Sequence, residues 1–297
     1  MSLDMATGID HGLVTTPTEV FILQALLGVE NLPAALRLGH FLPAVHRDLV
    51  VDTTAGPVHI TETAEYASLM AKGVIDGSGA VDDAVRDWMT VVGNPDREVM
   101  LVIRRPDPQT AGTATPTVHE RAIVICRHEQ RWLAQISRCD DEVVLDAVGE
   151  SRDPATQVSL MCNTLIPALG MAEPADIEGV NIPAEVLTAA VSGAAGGDER
   201  SLRHAVGALG IEPAVTRILV AIGQMDQSAL GVVCVSDHGV DLHVHPRVVT
   251  IADTEYGRVS ITSTQAADGR QWMSIWPATP AGVRDDLAAL LSVPPAA

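Results

Sequence analysis

The stretch Gln271–Leu291, QWMSIWPATPAGVRDDLAALL, contains the local signals that decide the fold class. Side chains from Gln271 to Trp276 alternate with a period of two and include apolar groups on both sides, which predicts a strand with both faces covered. Thr279 is a suitable N-cap and Pro280 a suitable first helical residue. The apolar residues that follow recur at the spacing of one helix face, namely Val283, Leu287, Leu290 and Leu291. This stretch therefore predicts a strand, a tight corner and a helix that packs back on the sheet.

The same order of signals occurs earlier in the chain. Trp132 lies in an apolar strand-like segment, and Asp153-Pro154 opens a helix about twenty residues later. In each half, helices come first, an antiparallel meander follows, and a Trp-bearing strand precedes the last helix. We therefore expect an α+β fold with two lobes in a pseudo-twofold arrangement, in which helical bundles flank a central antiparallel β-sheet.

The composition of the chain indicates where the lobes meet. Residues 171–182 form part of a segment rich in proline, glycine and acidic residues, which is typical of a linker. We predict a flexible N-terminus over residues 1–12, an N-terminal lobe over 13–170 and a C-terminal lobe over 183–297. Both lobes are expected to contribute to one compact protein.

Charge and hydropathy restrict the possible function classes. The 297 residues are 47% hydrophobic and 19% charged, which is typical of a globular protein, and the formal net charge is −19. This acidic balance argues against binding to nucleic acid or to an anionic membrane, because both need a basic patch. We find no apolar run long enough for a membrane span and no secretory signal, which predicts a cytoplasmic protein. None of the four cysteines forms a CxxC pair, so free thiols are expected.

The sequence offers one weak candidate for a metal site. His243 and His245 are two residues apart in a predicted strand and share a face with Asp241, so they could hold a metal ion together. A solvent-facing polar strand is the more ordinary interpretation of this pattern. The two residues of each adjacent pair, His119-Glu120 and His128-Glu129, point to opposite faces of a strand. They therefore do not act as acid–base pairs. Common nucleotide-binding and hydrolase motifs are absent from the sequence, so we expect no catalytic residue and no cofactor.

The segment RRPDPQTAGTATPTVHE, residues 104–120, is unusually long for a connection between two strands. Hairpin loops usually have about 2–5 residues, and longer loops are usually functional or disordered. This composition fits either an arm that contacts a partner or a flexible loop.

The predicted helices between residues 199 and 226 carry more apolar positions than one narrow stripe requires. Leu202, Val206 and Leu209 mark the core face of the first helix, whereas Ile211 and Met225 are left over. These residues either belong to an ordinary packed helical pair or receive the apolar tip of a partner.

Four stretches together resemble the EspG family, which comprises cytosolic chaperones of mycobacterial type VII (ESX) secretion. They are VFILQALLGVENLPAALRL, VRDWMTVVGNPDREVMLVI, ADTEYGRVSI and WMSIWPATP followed by a Leu-rich last helix. The resemblance extends from about residue 13 to residue 293 and implies a pseudo-symmetric α+β fold. One departure is the ending LLSVPPAA, because many relatives continue past this helix.

The resemblance also implies a function, namely binding of PE–PPE heterodimers through the apolar tip of the PPE protein. In the family, the long loop and the C-terminal helical pair make this contact, which corresponds here to residues 105–119 and 199–227. The candidate partner-binding residues are Thr110, Thr113, Thr115, Val118, Arg200, Arg203, Leu209, Ile211 and Met225. We expect a monomer or weak homodimer. Two alternatives are a metal-dependent enzyme that uses the His243/His245 strand and a scaffold of the secretion apparatus that binds no client.

Overall fold

The computed structural model describes residues 12–39, 49–53, 56–110, 113, 115–193, 199–223, 228–266 and 268–295. The chain forms two compact units. Unit 1 comprises Met1–Val99, Arg121–Asp153 and Asp237–Leu242, and unit 2 comprises Met100–Glu120, Pro154–Ser236 and His243–Ala297. Several strands contribute residues to both units, so the units do not follow the chain as consecutive blocks.

The described residues contain thirteen strands and eight α-helices. The strands are β1 (Leu13–Thr15), β2 (Val50–Thr53), β3 (Gly56–His59), β4 (Arg97–Pro106), β5 (Val118–His128), β6 (Trp132–Cys139), β7 (Glu142–Glu150), β8 (Val180–Pro183), β9 (Ala229–His238), β10 (Leu242–Val244), β11 (Val249–Thr254), β12 (Gly257–Gln265) and β13 (Gln271–Pro277). The helices are α1 (Pro17–Leu27), α2 (Ala64–Ala71), α3 (Asp83–Gly93), α4 (Pro154–Leu169), α5 (Ala184–Gly193), α6 (Glu199–Gly207), α7 (Pro213–Gly223) and α8 (Pro280–Leu291).

Helix α1 in unit 1 begins with a complete capping box. The Thr16 hydroxyl accepts the Glu19 N–H at 3.2 Å, and the Glu19 carboxylate accepts the Thr16 N–H at 2.8 Å. Pro17 occupies the first turn, and Gly28 ends the helix with φ 67°. This left-handed conformation favours glycine, so both ends of α1 follow from its sequence.

In unit 1, neighbouring strands follow the order β1-β7-β6-β5. These neighbours pair antiparallel, with Leu13 opposite Leu145 and Ile136 opposite both Val124 and Leu145. Helix α3 contacts β6 and contributes the buried side chains Val85 and Met89 to the core.

In unit 2, neighbouring strands follow the order β4-β9-β11-β12-β13-β8. Its β9-β11-β12-β13-β8 pairs are antiparallel, and β13 aligns Ile275 with Ile261 of β12. A hydrophobic cluster includes Val215 and Ile218 of α7 together with Ile261 and Ile275. Burial of these aliphatic groups stabilises the unit at about 25 cal/mol per Å² of apolar surface.

The stretch from which the fold was predicted forms β13 and α8. Thr279 caps α8 through a 3.0 Å hydrogen bond from the Gly282 N–H, and its four predicted apolar residues are buried. The expectation that both strand faces are covered is wrong at Trp276, which is 49% exposed. A Cβ on Gly179 would lie 2.0 Å from the Trp276 ring, so the ring covers bare backbone there.

The predicted α+β class with an antiparallel sheet is confirmed, and the order of elements occurs twice along the chain, apart from the β2-β3 hairpin in the first half and β10 in the second. A short strand (β1 or β8) precedes three helices and a meander. The meander ends in a strand that pairs with the short strand (β7 or β13), and one helix follows. The predicted lobe boundaries at 13–170, 171–182 and 183–297 stay predictions. Of the predicted flexible N-terminus, residues 1–11 lie outside the described residues.

Two further expectations concern the membrane and the cysteines. Among the described residues, every helix is too short or too polar to cross a membrane. Cys126 and Cys162 are buried, Cys139 and Cys234 are half-buried, and all four are free thiols. Burial raises the pKa of the Cys126 thiol well above its ordinary value, so this group stays protonated at neutral pH.

Candidate protein-binding surface

The arm between β4 and β5, which lies in unit 2, has a defined base. Strand β4 extends to Pro106 and β5 begins at Val118, so the irregular part is shorter than the sequence predicts. The Asp107 N–H donates to the Thr117 carbonyl at 2.9 Å and adds one backbone contact beyond the strands. Arg105 donates to the Leu169 carbonyl at 2.7 Å and fixes the neck of the arm to the end of α4.

Thr110 closes this base with both its backbone and its side chain. Its N–H donates to the Asp107 carbonyl at 3.0 Å, and its hydroxyl accepts the Thr117 N–H at 2.8 Å. The hydroxyl also donates to the Asp107 carbonyl at 3.2 Å. These hydrogen bonds hold the base of the arm in a defined conformation, which favours an ordered arm over a flexible loop there.

The other candidate residues of the arm lie farther along it. Thr113 and Thr115 are exposed, and Val118 is half-buried at the start of β5. The Thr113 hydroxyl donates to the Thr110 carbonyl at 2.7 Å. The arm therefore presents hydroxyl and methyl groups to solvent, with its charged residues near the strands.

Helices α6 and α7 of unit 2 form an antiparallel hairpin, which is the second candidate region. A Cβ on Gly223 would lie 3.1 Å from Leu202, so the start of α6 contacts the end of α7. Val206 is buried in this pair, and Val215 and Ile218 face the unit 2 core.

The tip of the hairpin is less exposed than expected. Leu209 and Ile211 are half-buried and pack against the cluster that contains Val215 and Ile218. The interpretation of Ile211 as a residue left outside the core is therefore wrong, because the turn folds it back onto its own unit. Met225 lies outside the described residues. Replacing Leu209 or Ile211 with Glu would strain the core as well as the surface, so neither substitution isolates binding.

The polar face of the hairpin meets an aromatic side chain that the sequence analysis did not single out. Arg200 and Arg203 of α6 are exposed. The Arg217 guanidinium of α7 lies 5.4 Å from the centroid of the Tyr256 ring, at the turn between β11 and β12, which is within cation–π range. Tyr256 is 41% exposed.

Charges around Tyr256 place Arg203 in the same neighbourhood. A hydrogen bond with Glu255 raises the pKa of the Tyr256 hydroxyl, while the positive charges of Arg217 and Arg203 act in the opposite direction. We refer to Arg203, Arg217, Glu255 and Tyr256 as the Arg-Tyr patch. Glu255 and Tyr256 are adjacent in the sequence, but the proximity of Tyr256 to Arg203 and Arg217 depends on the tertiary fold.

The candidate metal strand has a different geometry from the one expected. His243 lies in β10 and is exposed, whereas His245 follows β10 and is buried. Their rings meet edge to face, with centroids 5.0 Å apart. In the described part of the chain, no three His, Cys, Asp or Glu residues are arranged to hold a metal ion. The sequence pattern predicts one strand over 240–251, but this segment divides into β10 and β11, because Pro246 has no N–H to donate to a ladder.

Comparisons with known proteins agree on one family. The fold resembles the solved Mycobacterium tuberculosis type VII secretion system chaperone EspG5, determined in complex with a PE25–PPE41 dimer. The likeness has a TM-score of 0.73 and 22% identity, and it covers 96% of this chain and 97% of EspG5. The ESX-2 secretion-associated protein EspG2 from Mycobacterium tuberculosis, from strains CDC 1551/Oshkosh and H37Rv, is 26% identical over 264 residues. That alignment covers 87% of this chain and 87% of the relative.

A family model assigns nearly the whole chain. The model of the EspG family matches residues 16–289, a range that begins at the cap of α1 and ends within α8. The matched range contains the arm, the α6–α7 hairpin and the Arg-Tyr patch. This protein belongs to the EspG family.

Proposed function

We propose that this protein is a cytosolic chaperone without catalytic activity that binds the PPE tip of PE–PPE heterodimers and keeps them competent for type VII secretion. The observation that carries the proposal is its EspG membership over residues 16–289. A second support is the likeness of its fold to EspG5, which was solved with a PE25–PPE41 dimer.

The physical basis is the covering of an apolar tip that would otherwise self-associate. Removing apolar surface from water contributes about 25 cal/mol per Å². A standard interface buries roughly 1,600 Å² in total, and loss of rotational freedom and ordering of side chains offset much of the gross gain. The half-buried Leu209 and Ile211 limit how much aliphatic surface the hairpin tip itself can offer.

The Arg-Tyr patch adds the residue types that most often dominate an interface. Arginine and tyrosine are enriched at binding hot spots because they combine a large apolar contact with directional hydrogen bonds. Arg217 and Tyr256 already hold each other in position, so less side-chain entropy is lost on binding. Together with Thr113 and Thr115 on the arm, the patch gives unit 2 a polar surface that could set client specificity.

The two alternatives have weaker support. A metal-dependent enzyme would need further ligands around His243 and His245, and the described residues offer no group of three. A scaffold without a client has no specific observation in its favour. Elemental analysis of untagged protein would reveal a metal-dependent enzyme. Pull-downs with membrane components of the secretion apparatus would reveal a scaffold without a client.

The test of the proposal is co-expression with the PE–PPE pairs of the source organism, followed by size-exclusion chromatography. We expect one or a few pairs to co-elute with this protein, in a complex that contains both PE and PPE. If every pair elutes separately, the chaperone function is excluded.

Substitutions then locate the contact. We expect the Tyr256→Ala and Arg217→Glu variants to weaken client affinity at least tenfold, because hot-spot residues typically contribute more than about 1.4 kcal/mol. Arg152→Glu is the matched control, since Arg152 is an exposed arginine in unit 1 with the same change in charge. Equal affinity of the Arg217 and Arg152 variants and of wild type would remove the patch from the interface.

A further inference from the structure

Unit 1 contains a groove that the proposed function does not use. Its volume is about 530 Å³, and its walls come from one face of α3 and from the adjacent ends of β5, β6 and β7. This volume lies within the range of about 300–1,000 Å³ that is typical of ligand sites.

Small residues on the sheet create the space for this groove. Ala134 of β6 pairs with Ala147 of β7, and Leu133 pairs with Gly149, so β7 has one more residue than β6 between these two pairs. This β-bulge bends the sheet where the small side chains leave its surface open. A larger residue at position 147 would fill the groove without entering the core, because Ala147 is exposed.

Two tryptophans form the apolar walls. Trp88 on α3 is half-buried, and Trp132 at the start of β6 is 37% exposed. Tryptophan is the residue most enriched at binding hot spots and has the strongest attraction for cations over its ring. Trp132 already shows this property, because the Arg131 guanidinium lies 4.5 Å from its ring centroid.

Carboxylates line the groove beside the tryptophans. Arg131 pairs with Glu150, whereas Asp87 and Glu129 have no hydrogen-bond or ion-pair partner among the described residues. Glu129 has φ 52°, and the next residue, Gln130, has φ 55°. Such left-handed conformations are costly for residues other than glycine, and here the turn directs its Glu129 residue to the groove.

We propose that this groove binds an extended segment of a partner polypeptide in which a Lys or Arg side chain lies next to an apolar one. The apolar side chain packs between Trp88 and Trp132 over the small residues of the floor. The cationic side chain pairs with Asp87 and Glu129. The two carboxylates and the net charge of −19 both disfavour an acidic segment.

A peptide fits this site better than a small metabolite. The groove runs along a helix face and the ends of neighbouring strands, and its Trp132, Ala147 and Glu150 residues are exposed. Metabolite pockets usually bury most of the ligand surface, whereas a segment of a partner needs only one covered side.

The test is selection of a random twelve-residue phage-displayed peptide library on the intact protein. We expect the enriched peptides to share a Lys or Arg beside an aliphatic or aromatic residue, and to bind more weakly as salt increases. Affinities of synthetic enriched peptides should fall at least tenfold for Ala147→Leu, which fills the groove. The Asp87→Asn/Glu129→Asn double variant should lose a similar factor, and asparagine tolerates the left-handed turn at position 129.

Two control variants separate the groove from general effects. Ala155→Leu adds the same bulk at an exposed site in unit 2, and Glu142→Gln removes an exposed charge elsewhere on β7. Both should bind the peptides like wild type. Failure to enrich any peptide, enrichment of acidic or uncharged peptides, or unchanged affinity for Ala147→Leu would overturn the proposal. The last result would place the binding site elsewhere, and the first would leave the groove to ligands other than peptides.

Discussion

Arg97 and Asp237 lie 140 residues apart and form a buried ion pair in unit 1. The Asp237 carboxylate accepts from Arg97 Nε at 2.6 Å and from Nη2 at 3.1 Å, and both side chains are almost fully buried. Two parallel bonds between a guanidinium and a carboxylate restrict geometry as well as charge. The pair therefore ties the start of β4 to the end of β9.

Removal of one partner should be costly because the other charge stays buried. We expect Asp237→Asn to lower the free energy of unfolding by about 3–5 kcal/mol. Urea denaturation measures this effect. Asp268→Asn is the control, since the Arg270–Asp268 pair is exposed and such pairs contribute less than about 1 kcal/mol. Similar costs for the two variants would contradict the role of burial.

Glu19 makes the stability of unit 1 depend on pH. Burial opposes its ionisation, but hydrogen bonds from Lys72, Ser68 and the Thr16 N–H outweigh burial and lower the pKa of Glu19. Because the folded pKa lies below the unfolded value of about 4.3, the ionised carboxylate contributes stability that is fully present above about pH 5. That stability is lost as the pH falls through the folded pKa.

The Glu19→Gln variant tests this dependence. We expect the variant to be less stable than wild type at pH 7, because Lys72 loses the charge of its partner. The difference between the two should shrink as the pH falls from about 5 to about 3. Thermal unfolding followed by circular dichroism over that range measures it, and a constant difference would exclude Glu19 as the titrating group.

Single residues differ in how far the sequence reveals their role. The capping box of Thr16 and Glu19 is visible in the sequence as Thr-Pro-Thr-Glu, because all of its partners lie within four residues. The Arg97–Asp237 pair and the contact of Arg217 with Tyr256 were not predicted, since each joins residues that only the fold brings together. The same limit applies to the groove, which depends on a bulge in strand pairing.

At the scale of elements, long strands and capped helices were predicted better than short strands. Strand β1 was missed because its three residues gain their hydrogen bonds from β7, with Leu13 opposite Leu145. Strand β8 was missed for the same reason, since it pairs with β13. The sequence pattern predicts Thr61 as the cap of the second helix, which is wrong, because Thr63 caps α2 by accepting the Tyr66 N–H. In that region two threonines compete, and the first belongs to a 3₁₀ turn.

The base of the arm offers a test at this scale. Replacing Thr110 with Val removes the acceptor of the Thr117 N–H while keeping the shape of the side chain. A neutral hydrogen bond contributes about 1 kcal/mol, so amide exchange at Thr117 should accelerate about fivefold. Thr115→Val is the control, because Thr115 is exposed and has no hydrogen bond within the described residues. Unchanged exchange in Thr110→Val would mean that the backbone alone holds the arm.

The whole molecule combines a repeated connectivity with two different candidate surfaces. The second repeat contributes the α6–α7 hairpin, which packs on the hydrophobic cluster of unit 2, and the turn with Tyr256, which contacts Arg217 of α7. The groove of unit 1 has tryptophans and carboxylates instead of arginines. Because the two surfaces have opposite charge, they should select different partners or different parts of one partner.

Hydrogen–deuterium exchange of the intact protein with and without the PE–PPE dimer proposed as its client tests this separation. We expect the client to slow exchange in the peptides that cover residues 113–118, 200–211 and 254–258, because these contain the arm, the hairpin and the turn of Tyr256. Peptides over 84–91 and 128–134 should exchange at the same rate in both samples, since they line the groove. Protection over the groove with none over the hairpin would reverse the assignment of the two surfaces. Protection over both would mean that one client contacts both units.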